Sequence, residues 1–329
     1  MRKVFLLLTI TILVFTFAGC DTEKPKVSGV EKTVEVQCGT KLNLKDYLKE
    51  KIKISDRTDK GVKNYKLDQL EYSIDCDKTI YNSKTGDVNT DQFGKFRVSL
   101  TVSDKAGNDT TVSFKLILNP IKVEKDFYIY EDSPSDDYEL MGYCSFENTS
   151  KQPVAIEGIK FDYTDKDGVS VCGSDMVEYS PKYLAGGEIG FAKDTYSGSE
   201  AKLETEEDIS SVSVKVDYKA TKKKDKTTLK VGPFKMIYDY DYDQSHFAAE
   251  TILTNPFEEE AEDYSLIAGM YDKNNKLIGV LENILSNGSI KANGKRKAIV
   301  SYLPPSKERP KKTKSVKGSA YVSSFKDEY

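Results

Sequence analysis

The sequence contains little of what most catalytic and metal sites need. Its 329 residues include no tryptophan, five cysteines and a single histidine, His246. Triads and general-base schemes built on histidine need an imidazole held by a partner, so one histidine at the start of a predicted strand excludes most of them. Structural zinc sites need clustered cysteine and histidine, and no Cys-x-x-Cys spacing is present. We therefore predict no metal, no cofactor and no enzymatic activity.

Net charge and long apolar runs are also scarce. Lys and Arg number 49 against 53 Asp and Glu, a formal charge of −4, which gives no attraction to a phosphate backbone and excludes nucleic acid as a partner. After Ala18 no segment is apolar enough to span a bilayer. The aromatic residues are 21 Tyr and 14 Phe, and such residues favour half-buried strands.

The only long apolar run stands at the N-terminus. Arg2 and Lys3 precede an uncharged stretch from Val4 to Ala18, which is shorter than the roughly 20 residues of a spanning helix and predicts an export signal. The stretch ends in the sequence FAGC, whose last residue is Cys20. This ending resembles the lipobox of bacterial lipoproteins, which implies cleavage after residue 19 and a diacylglycerol on the Cys20 thiol. An ordinary signal peptide with an incidental cysteine is the alternative. We predict a signal peptide at 1–19 and a lipidated, polar spacer at 20–32.

Residues 33–119 are predicted to form a first β-sandwich. Lys95–Asp104 and Asp109–Leu118 alternate apolar and polar residues, which is typical of strands with one buried face. The turn sequence DKAGN lies between them. The run Val88–Asn108 and the stretch Val36–Tyr47 resemble the end and the start of bacterial Ig-like surface repeats, which implies a spacer or adhesive unit. The charged insert Lys49–Lys66 is predicted to be a loop or a short helix.

Asp104, Asn108 and Asp109 in that turn have two interpretations. Clustered oxygens are the ligands that Ca²⁺ prefers, so these residues are weak candidates for a calcium site. The same residue types also form turns by accepting backbone N–H groups, and we favour this structural interpretation.

The remaining two thirds of the chain repeat themselves. A shift of 107 positions aligns Asn148 with Asn255, Asp165 with Asp272 and Gly187 with Gly294 without gaps. Each copy contains short alternating strands separated by turn residues, the pattern of a β-sandwich. We predict repeat 1 at 120–228 and repeat 2 at 229–329. The aligned Asn and Asp residues are predicted to be structural, because they follow strands and their side chains suit turns.

A short segment of each copy carries a family resemblance. FDYTD at residues 161–165 and AGMYD at residues 268–272 resemble the FxLYD module of secreted bacterial proteins. Neither copy has the full motif, since Thr164 replaces its Tyr and Ala268 its Phe. The resemblance implies a β-sandwich and no particular activity.

Four thiols remain after Cys20, and their state has two alternatives. Cys38 and Cys76 lie in the first module, and Cys144 and Cys172 lie in repeat 1. One pair per module in an exported chain suggests disulfides. Repeat 2 carries no cysteine at the aligned positions, so its fold closes without such a bond. Disulfides and free, buried thiols both stay open.

Residues 238–243 are the most distinctive short segment. In an extended strand, three tyrosines fall on one face and three aspartates on the other. One hypothesis is a ligand face that stacks sugars on the rings or holds a cation on the acids. The other is an edge strand whose acids discourage aggregation. The residues are Tyr238, Asp239, Tyr240, Asp241, Tyr242 and Asp243.

Two aligned loops differ in charge. The loop 200–208 is acidic, whereas Lys307–Lys314 holds five basic residues. The basic loop is a candidate contact for an anionic envelope polymer, and the alternative is an ordinary solvated loop.

These features predict an all-β chain of tandem Ig-like β-sandwich domains after a lipoprotein signal peptide. We expect a non-catalytic lipoprotein, exported and anchored to the bacterial membrane on its extracytoplasmic side, with a binding, adhesion or spacer role. Its expected partners are the membrane, through the lipid, and an envelope polymer, a glycan or a surface protein. A carbohydrate-active hydrolase or its accessory module is one alternative and needs two carboxylates about 5–10 Å apart in a cleft. A solute receptor is another and needs an enclosed pocket.

Overall fold

A computed structural model of the chain is nearly all β, as the sequence predicts. It describes residues 22–58, 61–132, 137–175, 177–197, 203, 205, 207–222, 225–242, 245–283, 288–302 and 308–326. Along these ranges, no helix combines the length and the hydropathy that crossing a bilayer requires. Cys20 and the predicted signal peptide lie outside the described residues.

The chain divides into two compact units. The first contains the residues up to Val34 together with Lys41–Asn89 and Lys95–Leu116, and the second contains Glu35–Thr40, Thr90–Gly94 and Ile117–Tyr329. Both predicted repeats, 120–228 and 229–329, therefore lie within the second unit.

The described residues of the predicted first module and the stretch before it, 22–58 and 61–119, form nine strands and one α-helix. The strands are β1 Lys26–Ser28, β2 Thr33–Gln37, β3 Leu42–Asn43, β4 Lys53–Thr58, β5 Gly61–Tyr65, β6 Glu71–Asp75, β7 Asp87–Val88, β8 Gly94–Ser103 and β9 Asp109–Asn119, and the helix α1 is Leu44–Lys51. A short 3-10 helix spans Leu67–Gln69. The sheets have the orders β2-β9-β8-β6, β1-β4-β5 and β3-β7.

The hairpin of β8 and β9 confirms the predicted alternation. Val98, Leu100 and Val102 are fully buried on β8, and their polar neighbours are more exposed. On the outer face, hydroxyl groups pair across the strands, such as Thr101 with Thr111 at 2.9 Å. The period of two thus places one face of the hairpin in the core.

Two predictions for this module are wrong. The charged insert Lys49–Lys66 is mostly a β-hairpin of β4 and β5, after the end of α1. The stretch 20–32, predicted as a lipidated, polar spacer, contributes β1, whose Val27 pairs with Ile54 of β4. The buried Ile54 shows that β4 has an apolar face, which the charged composition of the insert hides. The free edge of β4 then pairs with residues 26–28 of the predicted spacer.

The second unit contains fifteen of the described strands and a short helix. They are β10 Ile121–Asp132, β11 Asp137–Asn148, β12 Val154–Thr164, β13 Ser170–Ser174, β14 Glu178–Ser180, β15 Tyr183–Leu184, β16 Ile189–Ser197, β17 Ser211–Ala220, β18 Thr228–Val231, β19 Lys235–Tyr242, β20 Ser245–Thr254, β21 Ala261–Tyr271, β22 Leu277–Asn283, β23 Lys295–Ser301, α2 Glu308–Lys312 and β24 Ser315–Phe325.

The strand orders of the two repeats correspond. In repeat 1, β10-β11-β16-β14 forms one sheet, and β12 pairs with β13, β15 and β17 in the other. In repeat 2, β19-β20-β23 and β22-β21-β24 reproduce the central strands of these sheets. Here β18 pairs with both β20 and β24, and β22 pairs with β23, so the two layers join into one seven-stranded sheet.

One strand differs because of a proline. The continuous β10 of repeat 1 corresponds to β18 and β19 in repeat 2, which are separated by Gly232, Pro233 and Phe234. Pro233 has no backbone N–H to donate to a ladder, so the strand breaks there.

The aligned asparagines are buried and bonded in the same way. The Asn148 amide donates to the carbonyls of Gln152 (2.8 Å) and Leu184 (3.1 Å), and its side-chain oxygen accepts from the Ser150 N–H (3.1 Å). The Asn255 amide donates to the carbonyls of Glu259 (2.8 Å) and Ile290 (3.1 Å) and accepts from the Phe257 N–H (3.0 Å). Each asparagine therefore ties two loops of its repeat together, in the structural role predicted for it.

A hydrophobic cluster joins the two repeats. We call it the junction cluster, and its buried members are Tyr143, Phe191, Ile267, Tyr271, Leu277 and Val280. Gly269 lies beside it, and a Cβ atom there would overlap the Phe191 ring and lie 2.7 Å from Leu277. The close approach of the backbone explains the glycine, and the shared burial explains why both repeats form one compact unit.

Candidate functional site

The tyrosine–aspartate segment lies on β19, which stands at the end of its sheet order and pairs there with β20 alone. Tyr238 is half exposed, and its ring packs against Phe247 at a centroid distance of 5.3 Å. Asp243 and the side chains of Asp239, Tyr240, Asp241, Tyr242 and His246 fall outside the described residues. The ligand-face hypothesis therefore stays a prediction.

The side-chain oxygens of Asp104 and Asp109 accept hydrogen bonds from groups in or beside their own turn. One Asp104 oxygen accepts the N–H groups of Ala106 and Asn108, each at 2.8 Å, and the other accepts the Asn108 amide at 2.9 Å. Burial tends to raise the pKa of Asp104, but these hydrogen bonds outweigh it and lower the pKa below its ordinary value. Asp109 accepts from the Ser103 hydroxyl at 2.5 Å. Turn chemistry thus accounts for these carboxylates, and no group of three metal-binding side chains occurs in the described part of the chain.

The four cysteines are free thiols in the structure, so the disulfide alternative is not what the fold contains. Cys144 is fully buried on β11, in the sheet opposite to that of Cys172 on β13. Burial raises the pKa of Cys172 to about 11, and the neighbouring Asp194 and Asp162 act in the same direction. Burial raises the pKa of Cys38, Cys76 and Cys144 as well, so all four are neutral thiols near pH 7 and poor nucleophiles.

Arg309 of the predicted basic loop points inward. It lies on α2 and donates to the Tyr143 hydroxyl and, at 2.7 Å, to the carbonyl of Ile278. Its guanidinium stacks over the Tyr128 ring at 4.4 Å. At least one of the five basic residues is therefore part of the junction between the repeats and is withdrawn from any surface contact. Lys307 lies outside the described residues.

A concave surface of the second unit lies where the two repeats meet. We call it the inter-repeat groove, and it has a volume of about 370 Å³. Its polar and aromatic lining consists of Glu178, Tyr179, Lys182, Tyr264, Glu282 and Tyr321. The first three come from β14 and the residues just after it in repeat 1, and the others from β21, β22 and β24 of repeat 2. The volume falls in the range of about 300–1,000 Å³ that is typical of small-molecule sites.

The acids of the groove share one lysine. Glu178 lies opposite Lys193 in the pairing of β14 with β16, and its carboxylate is 3.7 Å from the Lys193 ammonium. Glu282 reaches the same ammonium from repeat 2. Burial lowers the pKa of Lys193, and the charge of Glu178 opposes this shift. Glu178 and Glu282 therefore both form ion pairs with Lys193.

Lys182 is placed differently. Its ammonium lies 3.2 Å from the ring centroid of Tyr179 and 5.5 Å from that of Tyr321. Within the described ranges no carboxylate forms an ion pair with it. The side chain is half-buried, and burial lowers its pKa. The positive charge of Lys182 is thus balanced only by two aromatic faces.

The phenols beside Lys182 are hydrogen-bond donors at neutral pH. Burial raises the pKa of Tyr179, and so does the nearby Tyr321. Burial and the charge of Glu178 raise the pKa of Tyr321. Both hydroxyls consequently keep their protons.

Sequence reasoning did not find the groove. Its residues come from two repeats and lie as far apart as Glu178 and Tyr321, and none of them stands in a motif. The repeat alignment predicts two similar folds but carries no information on which faces of them meet.

Comparisons with known proteins add little. No protein family matches the chain, and no curated protein matches it. Among solved structures, "The structure of CBM51-2 in complex with GlcNAc and INT domains from Clostridium perfringens ZmpB" has 10% identity and a TM-score of 0.21, and the match covers 91% of this chain and 43% of that chain. This chain thus spans less than half the length of that one, and a TM-score of 0.21 is too low to show a shared fold.

Proposed function

We propose that this chain is a non-catalytic lipoprotein, anchored through Cys20 to the extracytoplasmic face of a bacterial membrane, whose β-domains bind or space partners at the cell surface. The observation that carries the proposal is the N-terminal sequence itself. A basic start, an apolar run of export-signal length and the ending FAGC supply the features that lipid attachment requires. Acyl chains on one cysteine would anchor the chain, since each buried CH₂ contributes about 0.8 kcal/mol.

The architecture of the second unit supports a binding or spacer role. The junction cluster and Arg309 connect the two repeats, so the repeats form one packed body and not two independent domains. A fixed junction preserves the inter-repeat groove, because a binding surface keeps its geometry only when its two walls do not move apart.

The hydrolase alternative finds less support in the same groove. Glu178 and Glu282 both contact the Lys193 ammonium, so a substrate entering between the two carboxylates would have to displace it. Glycoside hydrolysis needs that space for the scissile bond or for water. The solute-receptor alternative needs an enclosed pocket, whereas the groove is partly open to solvent.

Lipid attachment is tested by metabolic labelling with a fatty-acid analogue in the native cell. We expect the wild-type chain to be labelled, membrane-bound and sensitive to protease added outside the membrane. Cys20→Ala should lose the label and keep its leader, whereas Cys38→Ala serves as the matched control and should be labelled normally. A label that persists in Cys20→Ala, or a cytosolic wild-type chain with its leader uncut, would refute the proposal.

A further inference from the structure

The inter-repeat groove contains hydrogen-bond donors for which the described residues provide no acceptor. The Lys182 ammonium contacts the two tyrosine rings, and the described residues offer it no carboxylate. The hydroxyls of Tyr179 and Tyr321 also form no hydrogen bond with another described residue. The Lys182 side chain is half-buried, so its ammonium has lost part of its hydration and an anionic acceptor would replace it.

The acids of the groove do not supply the missing acceptor. Glu178 and Glu282 both reach Lys193, which is mostly buried, and their charges are therefore directed at that ammonium. Lys193 and Lys182 thus have different roles, since the first holds the two repeats together and the second is left without a counter-charge. The pairing of β14 with β16 keeps Glu178 opposite Lys193.

From this arrangement we infer that the inter-repeat groove binds an oxyanion of an acidic polymer, with the Lys182 ammonium and the Tyr179 and Tyr321 hydroxyls as donors. Carboxylate and phosphate groups have the same acceptor chemistry, and a charge-assisted hydrogen bond to either is stronger than a neutral one. The groove is partly open to solvent, so one unit of a polymer enters it while the neighbouring units stay in solvent. This inference rests on the proposed binding role and names the ligand class for it.

The test uses the full-length chain in detergent and measures affinity for three probes by calorimetry. Oligogalacturonate supplies a carboxylate, oligomeric glycerol phosphate supplies a phosphate, and a neutral maltooligosaccharide supplies neither. We expect one or both acidic probes to bind, more weakly at high salt, and the neutral probe to fail. Whichever acidic probe binds more tightly identifies the source of the oxyanion.

Variants assign the binding to the groove. Lys182→Ala should weaken binding by about tenfold or more, and Lys182→Arg should stay within about threefold of wild type, because it keeps the charge. Tyr321→Phe keeps the ring and loses one donor, so it should weaken binding by about threefold. Lys166→Ala, an exposed lysine on a turn of repeat 1, is the matched control and should bind like wild type.

Three outcomes would overturn the inference: no acidic probe binds, the neutral probe binds equally well, or Lys182→Ala binds like wild type. Its failure is separable from that of the proposed function. If the chain is lipidated at Cys20 but binds none of the three probes, the lipid anchor is supported and the acidic ligand is refuted. If the chain binds an acidic probe through Lys182 but carries no lipid, the acidic ligand is supported and the lipid anchor is refuted.

Discussion

Asn148 of repeat 1 and Asn255 of repeat 2 make matching hydrogen bonds, although the cores around them differ. In repeat 1 the buried Tyr163 donates to the buried Asp194 at 3.0 Å, and the aligned residues of repeat 2 are Met270 and Ser301. The comparison shows which parts of the repeat are fixed. Polar groups that satisfy loop carbonyls have few substitutes, whereas the core accepts different side chains of similar volume.

The turns after β12 and β21 show the same constancy. Asp165 accepts the N–H groups of residues 167 and 169, and Asp272 accepts those of residues 274 and 276, at 2.8–2.9 Å. The loops that carry charge differ between the repeats, and so does the strand interrupted by Pro233. The two copies therefore share the side-chain hydrogen bonds that pair the backbone N–H groups of their turns.

The largest expected effect tests this shared feature. Asn148→Ala and Asn255→Ala should each lower the free energy of unfolding by about 3 kcal/mol, since each removes the hydrogen bonds that a buried amide donates to two loop carbonyls and the one that it accepts from a backbone N–H. Denaturant unfolding of the full chain measures it, with the exposed Asn274→Ala as control. If one alanine variant lowered the free energy of unfolding strongly and the other hardly at all, the two asparagines would not be equivalent.

A glycine exchange sharpens the difference between the cores. Gly142 has Ala249 as its aligned residue, and a Cβ atom at position 142 would overlap the Tyr163 hydroxyl and lie 3.0 Å from the Phe161 ring. We expect Gly142→Ala to destabilise the chain by about 2 kcal/mol through overpacking. Ala249→Gly, the reverse exchange in repeat 2, should cost about 1 kcal/mol through backbone entropy. Equal stability of Gly142→Ala and wild type in thermal unfolding would show that Tyr163 moves freely.

Arg309 tests the contact between the repeats. Arg309→Ala removes the stacking on Tyr128 and the hydrogen bonds to Tyr143 and Ile278, and it should destabilise the second unit by about 1.5 kcal/mol. Hydrogen exchange in the junction cluster should rise at the same time. Lys311→Ala, at an exposed position on the same helix, is the control. The prediction is wrong if the two variants show the same rate of hydrogen exchange in the junction cluster.

The smallest effect concerns Asp194. Burial raises its pKa above the ordinary value, so the native state holds this proton more tightly than the unfolded chain. Its contribution favours folding at pH values below the ordinary carboxyl pKa and is lost as pH rises through the raised pKa. Asp194→Asn should therefore be more stable than wild type at pH 7, by about 1 kcal/mol, and the difference should shrink near pH 4. Ser301→Ala in repeat 2 should show no such pH dependence, and a constant difference for Asp194→Asn would contradict the assignment.

The fold was predictable where the pattern is local. The alternation in β8 and β9 predicts their buried face, and the aligned Asn and Asp residues predict the turns that hold the repeats. The pairing of β1 with β4 was not predictable, because short polar strands at an edge have weak patterns. The inward direction of Arg309 was missed for a related reason, since a basic loop has the same sequence whether it faces solvent or a partner surface.

The sequence by itself determined the all-β class, the internal repeat and the structural role of its asparagines, because the pairing of backbone N–H and C=O groups and the period of two both act over short distances. Only the tertiary structure decided that the repeats share the junction cluster, that Glu178 and Glu282 meet at Lys193, and that Lys182 lies between two tyrosine rings. These contacts join residues far apart in the chain. Their geometry depends on how two complementary surfaces pack, and no local pattern encodes it.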